Sequence, residues 1–98
     1  MNKGKRSQDK NISKIKVTSE LLQSGQITTF AAIFTYSNRT YVAEQLGMNY
    51  KRLGQLAADP EPLRIREIKS IARLYKISPR IIANVIFNQV EQLPRTKK

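Results

Sequence analysis

Four polar residues, Asn49, Tyr50, Lys51 and Gln55, fall close together in this chain. Between them they offer two side-chain amides, a phenol and an ammonium, which is the equipment for matching another molecule's hydrogen-bonding edge. Bond-making chemistry has far less to work with. The chain contains no His and no Cys, and its 7 acidic residues stand nowhere at a spacing that would hold a metal or share general acid–base work. No Gly-rich loop is present to cradle a phosphate. Without Cys and His there is no disulfide framework and no structural zinc site. The expectation is a binding protein, not an enzyme, with no catalytic residues, no metal and no cofactor.

Cations surround this group. Arg39 precedes it, Arg52 lies inside it, and Arg64 and Arg66 follow. Arg66, Lys69, Arg73 and Lys76 recur at i, i+3, i+7 and i+10, which makes one basic stripe along a helix. Over all 98 residues there are 18 Lys+Arg against 7 Asp+Glu, a net charge of +11. An excess of that size draws a small domain toward polyanions. It equally fits a basic protein of the ribosomal or chaperone-bound kind, and the stripe itself is either a phosphate-facing surface or a solvated one.

The polar group sits in residues 39–58, RTYVAEQLGMNYKRLGQLAA, which read as two short helices joined by a tight turn. Ala43 is the small residue where the helices touch, Gly47 makes the turn, and Leu53 is the apolar residue of the second helix. Val42, Leu46, Met48 and Leu56 complete the inner faces. On the second helix, residues 49–58, a rotation of 100° per residue turns Leu53, Leu56 and Ala57 inward. Lys51, Gly54, Gln55 and Ala58 point away, with Arg52 on the flank. Asn49 is either a helix cap or an outward reader. Tyr50 borders the apolar face, so its ring is either partly buried or free for contact. Gly54 costs an exposed helix about 0.8–1 kcal/mol relative to Ala, which marks either a close approach by another molecule or a weakness that packing offsets.

Around this pair the chain forms one domain. Residues 1–11 are expected as a flexible basic arm, residues 12–93 as the helical domain, and residues 94–98 as a basic tail. In residues 12–24, Ile15 and Val17 alternate like a strand while Ile15, Thr18 and Leu22 share one helical face, and Gly25 as a C-cap favours the helix. Thr28 or Thr29 caps a second helix, with Phe30, Ile33 and Phe34 facing the core. Asp59-Pro60 closes the central pair. A helix over residues 63–76 carries Ile65, Ile68, Ile71, Ala72 and Tyr75 on one side. Ser78-Pro79 opens the last helix, which runs to about residue 93 before Pro94. The predicted fold is all-α, a compact bundle of five to six short helices. Ile81, Ile82, Val85, Ile86, Phe87, Val90 and Leu93 make a broad stripe on the last helix, which serves either a homodimer through residues 79–93 or the monomer core. No segment has the roughly 18 apolar residues of a membrane span, and the expected compartment is the cytoplasm.

Over residues 29–93 the chain resembles the phage-repressor (Cro-like, or XRE) class of helix-turn-helix proteins. The resemblance is carried by Ala43, Gly47 and Leu53 and by the run IKSIARLYKIS, residues 68–78, which looks like the class's fourth helix. It departs from the class at Ala57-Ala58-Asp59, where a Trp-Glu or Asn-Gly is common, and at Tyr75 and Lys76, where Leu and Gly are commoner. The resemblance implies a lambda-repressor-like fold and a sequence-specific transcriptional regulator of double-stranded DNA, placed with the nucleoid. The helix 49–58 would enter the major groove, with Asn49, Tyr50, Lys51 and Gln55 contacting bases. Arg39, Arg52, Arg64 and Arg66 would contact phosphates. The alternatives are a helical adaptor that uses the same scaffold on an acidic protein, and an RNA-binding protein, although the closely spaced aromatics of an RNA-binding sheet are missing.

Overall fold

No proline interrupts the chain before Pro60, and the backbone is already helical at Lys3. A computed structural model of the chain describes residues 3–93, with side chains from residue 9 on. Among these residues there are six helices and no strand. They are α1 (Lys3–Gln23), α2 (Phe30–Tyr36), α3 (Arg39–Leu46), α4 (Tyr50–Ala58), α5 (Ile65–Tyr75) and α6 (Pro79–Gln92). Residues 3–11, expected as an unstructured arm, therefore belong to α1. Lys, Arg and Gln extend a helix once an adjoining turn is anchored, and Thr18 and Leu22 anchor it by burial. Residues 1–2 of that arm and the tail 94–98 lie outside the described residues.

The helix ends follow the local chemistry. Gly25 terminates α1 with φ 82. Thr29 Oγ1 accepts the Ala32 N–H at 3.3 Å and Asn38 Oδ1 accepts the Tyr41 N–H at 2.9 Å, capping α2 and α3. Ser78 accepts from the Arg80 N–H at 3.2 Å, with Pro79 opening α6. At the end of α5, Lys76 takes the left-handed conformation with φ 58, the position where a glycine is at ease.

Every helix contributes to one core. Phe30 and Ile33, Val42 and Ala43, Leu53 and Leu56, Ile71 and Ala72, and Ile82 and Val85 are buried together with Leu22. Ile65 was expected on the buried side of α5 but is 73% exposed. It opens the helix, and Leu63 in the preceding turn packs against the core instead. The apolar stripe of α6 is largely spent on the monomer. Ile82, Val85 and Ile86 are buried, Ile81 and Val90 are partly covered, and Phe87 is left 64% exposed.

Two polar nodes lie within this core. Tyr75 donates its hydroxyl to Ser37 Oγ at 3.0 Å, and Ser37 Oγ lies 2.7 Å from Thr18 Oγ1, so α5, the end of α2 and α1 share one buried network. Ser19 of α1 reinforces it by donating to the Tyr75 carbonyl at 2.8 Å. The second node is Gln89 of α6. Its Nε2 donates to the carbonyls of Ala57 and Ala58 at 2.8 and 3.2 Å, and its Oε1 accepts the Ala31 N–H at 2.7 Å. One side chain thus satisfies orphan groups at the C-terminus of α4 and the N-terminus of α2.

Two outcomes are expected. Replacing Lys76 with Gly removes the left-handed strain, which costs roughly 1–2 kcal/mol for an L-residue, and part of this is returned as unfolded-state entropy. Thermal melts should show Lys76→Gly more stable by up to about 1 kcal/mol. The second concerns Tyr75, whose burial, only partly offset by its bond to Ser37, raises its pKa from 10.0 to about 12. Above pH 10 the unfolded chain loses a proton that the folded chain keeps, so stability falls as pH rises toward 12. The whole effect is about 2–3 kcal/mol at 1.36 kcal/mol per unit. Denaturant unfolding of Tyr75→Phe should show this part of the alkaline decline removed, at a cost of about 1 kcal/mol at neutral pH for the lost hydrogen bond.

Candidate functional site

The junction of α3 and α4 sets the geometry of the site. Gly47 takes φ 65 and ψ 31, the left-handed conformation that a turn this tight requires. The Met48 N–H then reaches back to the Ala43 carbonyl at 2.9 Å. Ala43 and Leu53 are buried where the helices meet, so Ala43, Gly47 and Leu53 occupy the positions expected of them. Leu56 is buried as well, while Leu46, Met48 and Ala57 are partly covered. The inner face of α4 is thereby locked to the core, and Gln89 fixes its C-terminal end.

The outer face carries the candidate residues. Lys51 and Gln55 are exposed, and neither side chain makes a hydrogen bond among the described residues. Of the two roles open to Asn49, the structure fills the cap: Oδ1 accepts the Arg52 N–H at 3.0 Å. The cap uses one lone pair of Oδ1 and leaves the two Nδ2 donors of this exposed residue for an outside partner. Tyr50 does not sink into the core. It is 48% exposed, and its hydroxyl accepts from Arg39 Nη2 at 2.7 Å.

Arg39 stands at the start of the first helix of the pair, as the sequence suggests. From the start of α3 it lies across α4, with its guanidinium 4.6 Å from the centre of the Tyr50 ring. A Cβ added at Gly54 would come within 3.4 Å of Arg39 Cζ. The Arg39 guanidinium therefore lies at contact distance from the position a side chain at Gly54 would take.

Arg52 carries an ion pair that the sequence does not mark. Its Nη1 and Nη2 meet Glu67 Oε2 and Oε1 at 2.6 and 3.3 Å, and Nη1 lies 3.7 Å from Met48 Sδ. A guanidinium paired in this bidentate way helps to hold the fold, and the Arg52 side chain stays 35% exposed. Glu67 Oε1 also accepts the Arg64 N–H at 2.9 Å, tying the first turn of α5 to α4. Partial burial pushes the Glu67 pKa up, but the Arg64 N–H and the Arg52 guanidinium outweigh it, so the net shift is downward. Arg64 and Arg66 remain exposed. They line a cleft of about 390 Å³ that Asn49, Arg52 and Glu67 also border, so the structure brings them beside the start of α4. Lys69, Arg73 and Lys76 continue the exposed stripe along α5.

Glu67 and Gln89 were missed in the sequence, although each left a trace. Glu67 stands three residues after Arg64, the residue that caps α5, the position from which an acidic side chain reaches back to a helix start. Gln89 interrupts the apolar face of Ile82, Val85 and Ile86 with one polar residue. Neither trace names the partner.

Because the Glu67 pKa is lowered from 4.5, its contribution to stability is complete above that value and is lost as pH falls through the folded pKa. Acid titration of the melting temperature should show a Glu67-dependent loss below pH 4.5. Glu67→Gln should be less stable than the native chain at neutral pH and should lack that part of the acid decline. No family model, curated protein or solved structure matches this chain.

Proposed function

We propose that the chain is a sequence-specific regulator that binds double-stranded DNA by presenting α4 to the major groove, in a lambda-repressor-like arrangement. One observation carries this reading. The outward face of α4 is exposed, polar and cationic, while its inward face is fixed by packing and by Gln89. An α-helix with its side chains is about 10–12 Å across, and the major groove is about 12 Å wide. Lys51 has the donors for guanine acceptors, and Gln55 has the paired donor and acceptor that adenine requires. Arg64 and Arg66, beside the start of α4, serve the phosphate backbone, which positions the protein without reading sequence. The net charge of +11 supplies the long-range attraction, and such a role places the protein with the nucleoid. Phe87 is the large apolar side chain left exposed on α6, and a homodimer would meet there.

Selection from a random duplex library, followed by gel shifts in rising salt, tests the proposal. A consensus should emerge. Lys51→Ala or Gln55→Ala should weaken the selected duplex by about 1–3 kcal/mol while affecting random duplex less. Arg64→Ala together with Arg66→Ala should weaken all duplexes alike and make the slope of log K against log[salt] shallower by roughly two units, at about 0.9 per phosphate. Weak binding without preference among duplex, single strands and RNA would overturn the reading in favour of an adaptor for an acidic protein. A clear preference for RNA would overturn it in favour of an RNA-binding role.

A further inference from the structure

Arg39 differs from the other arginines of the site in how it is held. Arg52 has a carboxylate for a partner, and Arg64 and Arg66 lie open to solvent. Arg39 is gripped by uncharged groups: a ring face at 4.6 Å, a phenol oxygen at 2.7 Å, and the bare backbone of Gly54. Its charge is positioned without being neutralised. Its Nε is buried and has no hydrogen-bond partner, a state that costs stability and that a freely solvated arginine would escape by swinging into water. Stacking on Tyr50 holds it in place.

The remaining donors define what the group can take. A guanidinium has five N–H groups in one plane. Nε–H is covered, and one Nη2–H is spent on Tyr50. The Nη1 pair and the second Nη2–H are left, forming a planar fork at the end of the side chain. That fork lies over Gly54, on the same outward face as Lys51 and Gln55. Two adjacent acceptors in a plane, the O6 and N7 of guanine, match it; adenine meets it with an acceptor beside a donor. Two phosphate oxygens match the same fork, and the salt dependence of binding separates the two partners.

We propose that Arg39, although it belongs to α3, is a base-reading residue of the α4 face, and that the base it reads is guanine. Tyr50 and Gly54 are its positioning residues. The inference rests on the duplex-binding reading and names one element of the sequence that reading requires.

The test uses the selected duplex and a set of variants in which each G·C pair is replaced in turn by A·T, with binding followed by fluorescence anisotropy. Arg39→Ala should weaken the selected duplex about 5- to 150-fold, the discrimination of one bidentate pair. It should also abolish the penalty for replacing one particular G·C pair, while the salt slope shifts by well under the 0.9 of a phosphate contact. Arg39→Lys, which keeps the charge but lacks the fork, should not restore that preference. Gly54→Ala adds a methyl group 3.4 Å from Cζ and should reduce the same preference without lowering the melting temperature, since Ala favours the helix. Equal losses on every duplex with a slope shallower by about 0.9 would make Arg39 a phosphate contact and overturn the inference. Unchanged binding to every duplex would overturn it too. If the native chain selects no duplex at all, the functional reading and the inference fall together, a result visible before any substitution is made.

Discussion

The amide of Gln89 is buried at the meeting point of α6, α4 and α2, and the placement of the outward face depends on it. A buried amide must find partners for its donors and its acceptor, or the cost of desolvation goes unmet. Here the two carbonyls that end α4 and the N–H that begins α2 supply them. Apolar packing alone would hold Leu53 and Leu56 in the core while tolerating some rotation or sliding of a helix only nine residues long. Directional bonds from a fixed side chain remove that freedom. The Tyr75–Ser37–Thr18 network does the same for α1 and α5. Both nodes link elements far apart in sequence, so they add specificity to a core whose apolar contacts are less particular about geometry.

The charge of the site is organised by what each cation is bound to. Glu67 pairs with Arg52 and so binds α4 to the first turn of α5. Arg39 is held by an aromatic ring and a hydroxyl, which orient it without cancelling its charge. Lys51, Arg64 and Arg66 are exposed. A basic chain of this size therefore contains cations of three kinds, paired within the fold, oriented by it, or left to solvent. Counting charges in the sequence cannot separate them.

Much of the architecture was legible in the sequence because it depends on local rules. Helical periodicity, the turn at Gly47, the caps at Thr29 and Ser78 and the break at Pro60 each rest on a few neighbouring residues. The contact residues Ala43 and Leu53 were legible for the same reason, since two helices joined by a short turn can meet in few ways. The boundary of α1 was not. Residues 3–11 lack apolar periodicity, and their helix is an extension of a turn that is anchored elsewhere.

By itself, then, the sequence determined an all-helical domain, its central helix pair, and which face of α4 points away from the core. Only the tertiary structure decided what the polar side chains do. Arg39 and Gly54 are 15 positions apart, Arg52 and Glu67 are 15 apart, and Gln89 lies more than 30 from Ala57. Nothing local marks such pairs, because the same residue types would serve equally well as solvated surface. Long polar side chains take their partners from whatever the packed helices bring within reach, and that is settled only once the core has formed.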